Sequence, residues 1–269
     1  MKISLIMASI SRTKEVEQFL QSLRQQTYKN FELIIVDQND DDRLYAMANR
    51  YSDYFPVVHI QSEKGLSRAR NMGMNHATGQ IISFPDDDCT YSSLTLQQVA
   101  DVFSSTHFDG VSGRMLASGT MLESCKQDCE IRLNIYNVWL KAVSTTLFLR
   151  RSLVDSVGYF DEKLGVGSGT EYGSGEETDY LIRAIKQGFS LYHVPSITVY
   201  HPEMDFNKSG ISQKAYKYSK GRRYVLEKHK YNKVFIWINI FYPLVKLLKS
   251  LPNRNKTLYH WYQFLGRLE

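Results

Sequence analysis

Hydrophobic positions in the first hundred residues switch between two periods. Ile3-Ser4-Leu5-Ile6-Met7-Ala8 and Glu32-Leu33-Ile34-Ile35-Val36 are short, nearly continuous apolar runs, the pattern of strands buried on both faces. Between them Val16, Phe19, Leu20 and Leu23 recur at i, i+3, i+4 and i+7, which marks one face of an amphipathic helix, with Ser11 or Thr13 available as its cap. A polar loop over 37–42, a helix over 43–51, a short strand over 57–60, a helix over 67–77 and a strand over 80–84 extend the alternation. Strands alternating with helices predict an α/β fold built on a mostly parallel sheet flanked by helices. Ligands of such sheets bind beyond the carboxyl ends of the strands. That rule directs attention to residues 9–12, to Asp37 and to Asp86-Asp87-Asp88.

Further along, the periods predict a helix near 94–103 and strands around 110–115 and 145–150. Gly165, Gly167, Gly169, Gly173 and Gly175 then lead into Glu176-Glu177-Thr178-Asp179, and Leu181, Ile182 and Ile185 give a helix that stops at Gly188. Residues 190–201 read as a strand and a turn. From Asn207 onward, basic residues interleave with Tyr216, Tyr218, Tyr224, Tyr231, Phe235, Trp237, Phe241 and Tyr242. The apolar run from Val234 to Leu248 contains Asn239, Pro243 and Lys246 and falls short of the roughly 20 residues a spanning helix needs, so it is expected to lie on a membrane rather than cross it.

Composition sharpens this division. With 43% hydrophobic and 23% charged residues, the 269-residue chain has the balance of a packed globular protein, which excludes disordered and collagenous classes. Its net charge of +5 is unevenly placed: residues 208–269 hold 14 Lys and Arg against Glu227 and Glu269, leaving residues 1–207 at −7. The expected organisation is a body over 1–207 and a helical, basic and aromatic segment over 208–269 suited to peripheral contact with a membrane. Within that segment Lys220, Arg222 and Arg223 are expected to meet lipid headgroups or a diphosphate. No nucleic-acid motif accompanies the basic residues, so nucleic acid is not an expected partner. Cys89, Cys125 and Cys129 form no CxxC pair, which argues against a disulfide framework or structural zinc. The first residues lack the long apolar region of a signal peptide, and the expected location is the cytoplasm, at the inner face of the membrane.

Four groups of residues could carry chemistry. Adjacent like charges at a strand end, as in Asp86-Asp87-Asp88, are unfavourable unless a cation or solvent relieves them, and a hard divalent ion is a natural partner; a solvated acidic turn is the plain alternative. Glu176, Glu177 and Asp179 open a helix, where acids are favoured by the macrodipole alone. The glycine-rich approach could instead be a substrate lid ending at a catalytic carboxylate. Helix geometry groups Glu176 with Asp179 and turns Glu177 elsewhere. Arg68 and Arg70, two apart, cannot share one helical face, so one can serve a phosphate while the other is structural. His201, before Pro202, is either structural or an additional ligand for a transition metal such as Mn²⁺.

Taken in order, these segments resemble family 2 glycosyltransferases of the GT-A fold. The resemblance is carried by Ile3-Ser4-Leu5-Ile6-Met7-Ala8 with Ser11-Arg12, by Phe31-Glu32-Leu33-Ile34-Ile35-Val36-Asp37, by Gly65-Leu66-Ser67-Arg68-Ala69-Arg70-Asn71-Met72-Gly73 and by Phe84-Pro85-Asp86-Asp87-Asp88. Gly158-Tyr159-Phe160-Asp161-Glu162 and Gly175-Glu176-Glu177-Thr178-Asp179 with Arg183 continue it over roughly residues 1–205. The resemblance implies a metal-dependent inverting transferase that moves a hexosyl or hexosaminyl group from a nucleotide-sugar, expected to be a UDP-sugar, to a glycan or lipid-linked acceptor in surface polysaccharide synthesis. By motif position, Ala8 and Ile10 would line the nucleoside, Asp37 would accept from the base, and Arg12 and Arg70 would approach the nucleotide. Asp86 and Asp87 would face nucleotide and ribose, and Asp88, with His201, would bind Mn²⁺ or Mg²⁺. Glu177 would be the catalytic base, with Glu176 and Asp179 serving the acceptor or the helix end. Three features depart from the family pattern: Ala8-Ser9-Ile10-Ser11 stands for Pro-Thr-Tyr-Asn, Glu177 stands where Asp is usual, and no Gln-x-x-Arg-Trp motif follows, which disfavours a processive synthase. Competing classes are a nucleotidyltransferase of related fold, which would not call for the Glu177 region, and a non-catalytic sugar or nucleic-acid binder, which would need neither metal nor base.

Overall fold

The computed structural model describes residues 1–120 and 129–269; Cys125 lies outside the described residues. Strand β1 (Ile3–Ser9), helix α1 (Lys14–Arg24), β2 (Phe31–Asp37), α2 (Tyr45–Tyr51), β3 (Val57–Gln61), α3 (Leu66–Met74) and β4 (Ile81–Ser83) follow the alternation read from the sequence. Then come β5 (Thr90–Tyr91), α4 (Thr95–Ser105), β6 (Gly110–Ala117), β7 (Ile131–Arg132), α5 (Val138–Lys141), β8 (Leu147–Arg150), α6 (Arg151–Val157), α7 (Glu176–Lys186) and β9 (Leu191–His201). Three helices close the chain: α8 (Ile211–Lys228), α9 (Lys233–Ser250) and α10 (Arg254–Leu268). The chain divides into two compact units, one of Met1–Lys64, Arg68–Phe160 and Tyr180–Glu203, the other of Gly65–Ser67, Asp161–Asp179 and Met204–Glu269. The last passage between units falls between Glu203 and Met204, and residues 65–67 and 161–179 group with the C-terminal helices.

The first unit holds one mixed sheet, ordered β3-β2-β1-β4-β8-β6-β9-β5 with β7 against β9. β1 pairs in parallel with β2 and β4, and β2 with β3. β8 then enters antiparallel between β4 and β6. Every residue of β2 is buried, which is why its sequence is a continuous apolar run rather than an alternating one. Helix α1 lays Val16, Phe19, Leu20 and Leu23 into a core with Leu5, Met7, Leu33 and Ile35, each such side chain stabilising by about 1.5–3 kcal/mol. Thr13 occupies the N-cap position of α1 without a side-chain capping bond, and Glu15 and Glu17 in the first turn offset the positive helix end instead. Gly73 of α3 permits a close approach: a Cβ there would stand 2.3 Å from Ile6 Cγ2. The helix therefore lies tight on the sheet, with Arg70 near the strand ends.

In the second unit, one asparagine ties three helices together. Pro243 within α9 has no N–H, so the Asn239 carbonyl lacks its i+4 donor. Arg267 of α10 supplies one, its Nη1 donating to Asn239 O at 2.7 Å. Asn239 Oδ1 in turn accepts from Nε and Nη2 of Arg222 on α8, at 3.0 and 2.8 Å. Burial lowers Arg222 to about 10 and Arg267 to about 9, so both remain cationic at neutral pH. Lys220 pairs with Glu171 at 2.6 Å and Arg223 with Glu227 at 2.6 Å. The three cations expected to meet headgroups or an acceptor diphosphate are thus engaged inside this unit. Side-chain oxygens of Asn232 and Asn253 cap α9 and α10.

The glycine-rich stretch is fastened to α8 rather than loose. Gly173 N donates to Lys217 O at 3.0 Å, Ser174 Oγ donates to Tyr218 O at 2.8 Å, and the rings of Tyr172 and Tyr224 stack with centroids 4.4 Å apart. Gly221 makes this fit possible, because a Cβ there would lie 2.1 Å from Ser174 O. Of the two readings left open for this loop, a lid or a plain approach to a helix start, the contacts describe a strap packed on α8.

Arg267→Ala should destabilise the protein by about 1–3 kcal/mol, the cost of leaving a buried carbonyl without a donor. In a Pro243→Ala background, where residue 243 regains its N–H, the same substitution should cost less. A double-mutant cycle on urea midpoints checks the coupling, and equal costs in both backgrounds would refute it.

Candidate functional site

The carboxyl ends of β1, β4 and β9 bring most of the sequence-predicted residues of the first unit together. Ala8 bridges in parallel to Asp86, joining the end of β1 to the acidic run that follows β4. Ser9 Oγ donates to Asp87 Oδ2 at 2.7 Å, and Arg12 Nη1 pairs with both Asp87 and Asp88, lying 2.8 Å from Asp88 Oδ2. Arg70 is buried; its Nη2 lies 3.3 Å from Asp86 Oδ1 and donates to Ser144 Oγ at 2.5 Å. Its guanidinium also sits 6.0 Å and 5.7 Å from the ring centroids of Phe84 and Phe160. Arg68 points elsewhere, pairing with Glu63 at 2.7 Å. Of the two arginines in the motif, Arg70 is the one at the carboxylates.

Three adjacent carboxylates thus share two arginines and a histidine. Burial pushes Asp86 above the ordinary carboxylate range against the pull of Arg70. Burial raises Asp87 as well, against Ser9 and Arg12. Burial would raise Asp88 too, but the His201 hydrogen bond and the Arg12 charge outweigh it and hold Asp88 below the usual value. His201 is raised by its bond to Asp88. His201 Nε2 lies 3.1 Å from Asp88 Oδ1, and Nδ1 lies 2.8 Å from the carbonyl of Pro202. A carbonyl only accepts, so Nδ1 carries a proton and Nε2 is the nitrogen turned to the carboxylate.

One ligand atom each from Asp86, Asp88 and His201 lies within 4.8 Å of the other two, the only such group among the described residues. Two carboxylate oxygens and an imidazole nitrogen fit a divalent ion, and the nitrogen suits Mn²⁺ better than Mg²⁺. Asp37, at the end of β2, is wholly buried: Oδ1 accepts from Asn39 Nδ2 at 2.7 Å, and Oδ2 lies 3.0 Å from His59 Nε2. Ile10, which follows the Ser9 paired with Asp37 across the sheet, is exposed, and Ser11, at φ 61°, donates its N–H to Asn39 Oδ1. Asn39, His59 and Ser144 were not singled out from the sequence. His59 could have been, since it stands near the end of a parallel strand, whereas nothing in the local pattern marks Ser144. A cavity of about 600 Å³ around Glu17, Arg24, Arg50 and Tyr54 holds none of these residues; there Arg50 pairs with Glu17 and Arg24 lies over the Tyr54 ring.

The second unit holds the other acidic group. Glu176 and Asp179 are buried and Glu177 is only partly so. Asp179 Oδ1 is 2.8 Å from both Lys228 Nζ and His229 Nε2, and Lys228 Nζ is 2.7 Å from Asp161 Oδ2. Glu177 acts electrostatically on the Arg222 guanidinium. At the start of α7, Asp179 is therefore a structural tie, and Glu177 is the carboxylate with solvent access.

With this geometry in hand, comparisons with known proteins decide the family. The sequence model described as "Glycosyl transferase family 2" matches residues 4–154. The chain belongs to this family. It is 25% identical over 252 residues to glycosyltransferase AglE of Haloferax volcanii, covering 88% of this chain and 79% of that one. A glycosyltransferase of Haemophilus influenzae is 37% identical over 102 residues, but the match spans only 34% of that protein. Among solved structures, the Pyrobaculum calidifontis mannosyltransferase PcManGT in complex with GDP-Man and Mn²⁺ superposes with a TM-score of 0.71 at 14% identity, over 99% of this chain and 86% of that chain. S. aureus TarS 1–349 in complex with UDP-GlcNAc gives 0.63 at 16%, over 100% and 92%. This family 2 glycosyltransferase therefore has the GT-A fold, with the mixed sheet described above.

Asp179→Ala leaves Lys228 and His229 facing a vacated carboxylate position and should destabilise this glycosyltransferase by about 3–5 kcal/mol. Asp179→Asn, which keeps an acceptor, should cost less. Urea unfolding monitored by circular dichroism distinguishes them; a neutral Asp179→Ala would disprove the tie.

Proposed function

We propose that this glycosyltransferase is a metal-dependent, inverting hexosyl- or hexosaminyltransferase using a UDP-sugar. Its acceptor is a hydroxyl of a glycan or lipid-linked molecule in surface polysaccharide assembly, at the cytoplasmic face of the membrane. The observation that carries this reading is the Asp86, Asp88 and His201 cluster at the strand ends, with Arg12 and Arg70 against the same carboxylates. Complexes of structural relatives with UDP-GlcNAc, and with GDP-Man and Mn²⁺, support a nucleotide-sugar donor and a divalent ion. Family membership disfavours the nucleotidyltransferase and non-catalytic alternatives. In this reading residues 1–207 carry the chemistry and 208–269 touch the membrane.

Asp88 and His201, with Asp86 beside them, would hold Mn²⁺ or Mg²⁺, which when bound offsets negative charge on the departing diphosphate. Ala8 and Ile10 line the nucleoside, and Asp37, through its fixed neighbours Asn39 and His59, shapes the base end. Asp86 and Asp87 face nucleotide and ribose, Asp87 held in place by Ser9 and Arg12. Arg70, held among Phe84, Phe160 and Ser144, presents its planar guanidinium to the nucleotide. Glu177 accepts the proton of the attacking hydroxyl, and a single displacement inverts the anomeric centre. Glu176 and Asp179 hold the helix end or the acceptor, and burial favours the helix-end role.

Glu177→Gln should keep donor binding and lower turnover by about 10²–10⁴-fold, read as nucleoside diphosphate release in a screen of UDP-, GDP- and dTDP-sugars with Mn²⁺. Undiminished turnover would rule out the base. Asp88→Ala should abolish the Mn²⁺-dependent part of UDP binding in calorimetry, and an unchanged metal dependence would exclude Asp88 as a ligand.

A further inference from the structure

Helix α9 presents an apolar stripe to solvent. Val234, Trp237, Ile238, Phe241, Val245 and Leu248 are all exposed, at i, i+3, i+4, i+7, i+11 and i+14, while Asn239, Ile240 and Pro243 occupy its buried side. The stripe continues onto α10 through aromatic rings: Trp237 and Phe241 have centroids 5.6 Å apart, Phe241 and Phe264 5.9 Å, and Phe264 and exposed Trp261 5.6 Å. Soluble surfaces rarely leave such a contiguous strip uncovered. The two helices carry one sign of charge. Lys233, Lys246, Lys249, Arg254 and Lys256 lie on these two helices, and no Asp or Glu occurs between Glu227 and Glu269. No helix among the described residues is long and apolar enough to cross a membrane.

We propose that α9 and α10 form an in-plane docking surface for an anionic lipid bilayer, with the Trp237–Phe241–Phe264–Trp261 strip at the headgroup–acyl boundary. This deepens the peripheral membrane contact in the functional reading by naming its surface and lipid charge; it does not depend on the donor chemistry. Charge selects this occupant. A second copy of the chain would set one lysine-rich, acid-free face against another, whereas anionic headgroups complement it. Tryptophan beside lysine suits the interface, where rings bury and ammonium groups reach the phosphates. The cations that neighbouring carboxylates neutralise, Lys220, Arg223 and Lys228, lie on α8.

The test uses the full chain with vesicles of phosphatidylglycerol and phosphatidylcholine, against phosphatidylcholine alone. Co-sedimentation with the anionic vesicles, together with quenching of tryptophan emission by brominated acyl chains, is expected. Phe241→Glu should lose both. Should Phe241→Glu prove misfolded by circular dichroism, Lys246→Gln with Lys249→Gln serves instead and should weaken anionic-vesicle binding about fivefold per lysine removed. Four results would each overturn the proposal: no sedimentation, equal binding to phosphatidylcholine alone, binding without quenching, or a vesicle-free dimer that dissociates in a well-folded Phe241→Glu. Mn²⁺-dependent UDP binding on the same samples reports separately on the donor site, so a failure there with vesicle binding intact counts against the functional reading alone.

Discussion

Like-charge repulsion among Asp86, Asp87 and Asp88 is the constraint on which the site depends. Three carboxylates in succession at the end of a buried strand stay there because the fold delivers partners from three separate places: the guanidinium of Arg12 from the loop after β1, that of Arg70 from α3 and the imidazole of His201 from the end of β9. Each delivery has its own structural requirement. Arg70 rides on a helix brought close by Gly73 and is clamped between aromatic rings. His201 arrives at the end of an eleven-residue strand, with its tautomer set by Pro202 O. The same arrangement that stabilises the carboxylates places two of them and an imidazole nitrogen close enough to share one ion.

A parallel economy governs the second unit, whose helices are held by polar ties as well as by apolar packing. The missing N–H of Pro243 creates a need in α9 that Arg267 meets from α10, and the side chain of the same asparagine engages Arg222 from α8. Asp179 similarly joins the start of α7 to the end of α8 through Lys228 and His229. Buried polar groups of this kind are tolerated because they are satisfied. They absorb several of the basic residues that, counted along the chain, suggest a purely surface charge. What remains exposed on α9 and α10 is consequently a more selective surface than the net charge implies.

Much of the fold was legible in the hydrophobic pattern. The parallel strands β1 and β2 and the helix between them appear within a residue or two of their observed bounds, because burial on both faces imposes apolar runs and burial on one imposes the helical period. The two-residue strands β5 and β7 are too short to set any period, so their existence rests on β9 across the sheet, and the one-turn helix α5 is likewise too short to leave a pattern. The packing of the glycine cluster is hidden from the sequence for a related reason. Local composition registers the entropy cost of ordering glycines but not the surface of α8 that offsets it.

By itself the sequence determined the α/β alternation, the acidic run at a strand end, the acidic helix start and the separation of charge between body and C-terminal helices, since each is a local pattern of residue types. Only the tertiary structure decided which arginine meets the carboxylates, that His201 joins them, that Asp37 meets His59, and that Asp179 is a tie while Glu177 keeps solvent access. Those outcomes depend on contacts between residues far apart in the chain, from Arg12 with Asp88 to Asp179 with His229, which no local spacing encodes.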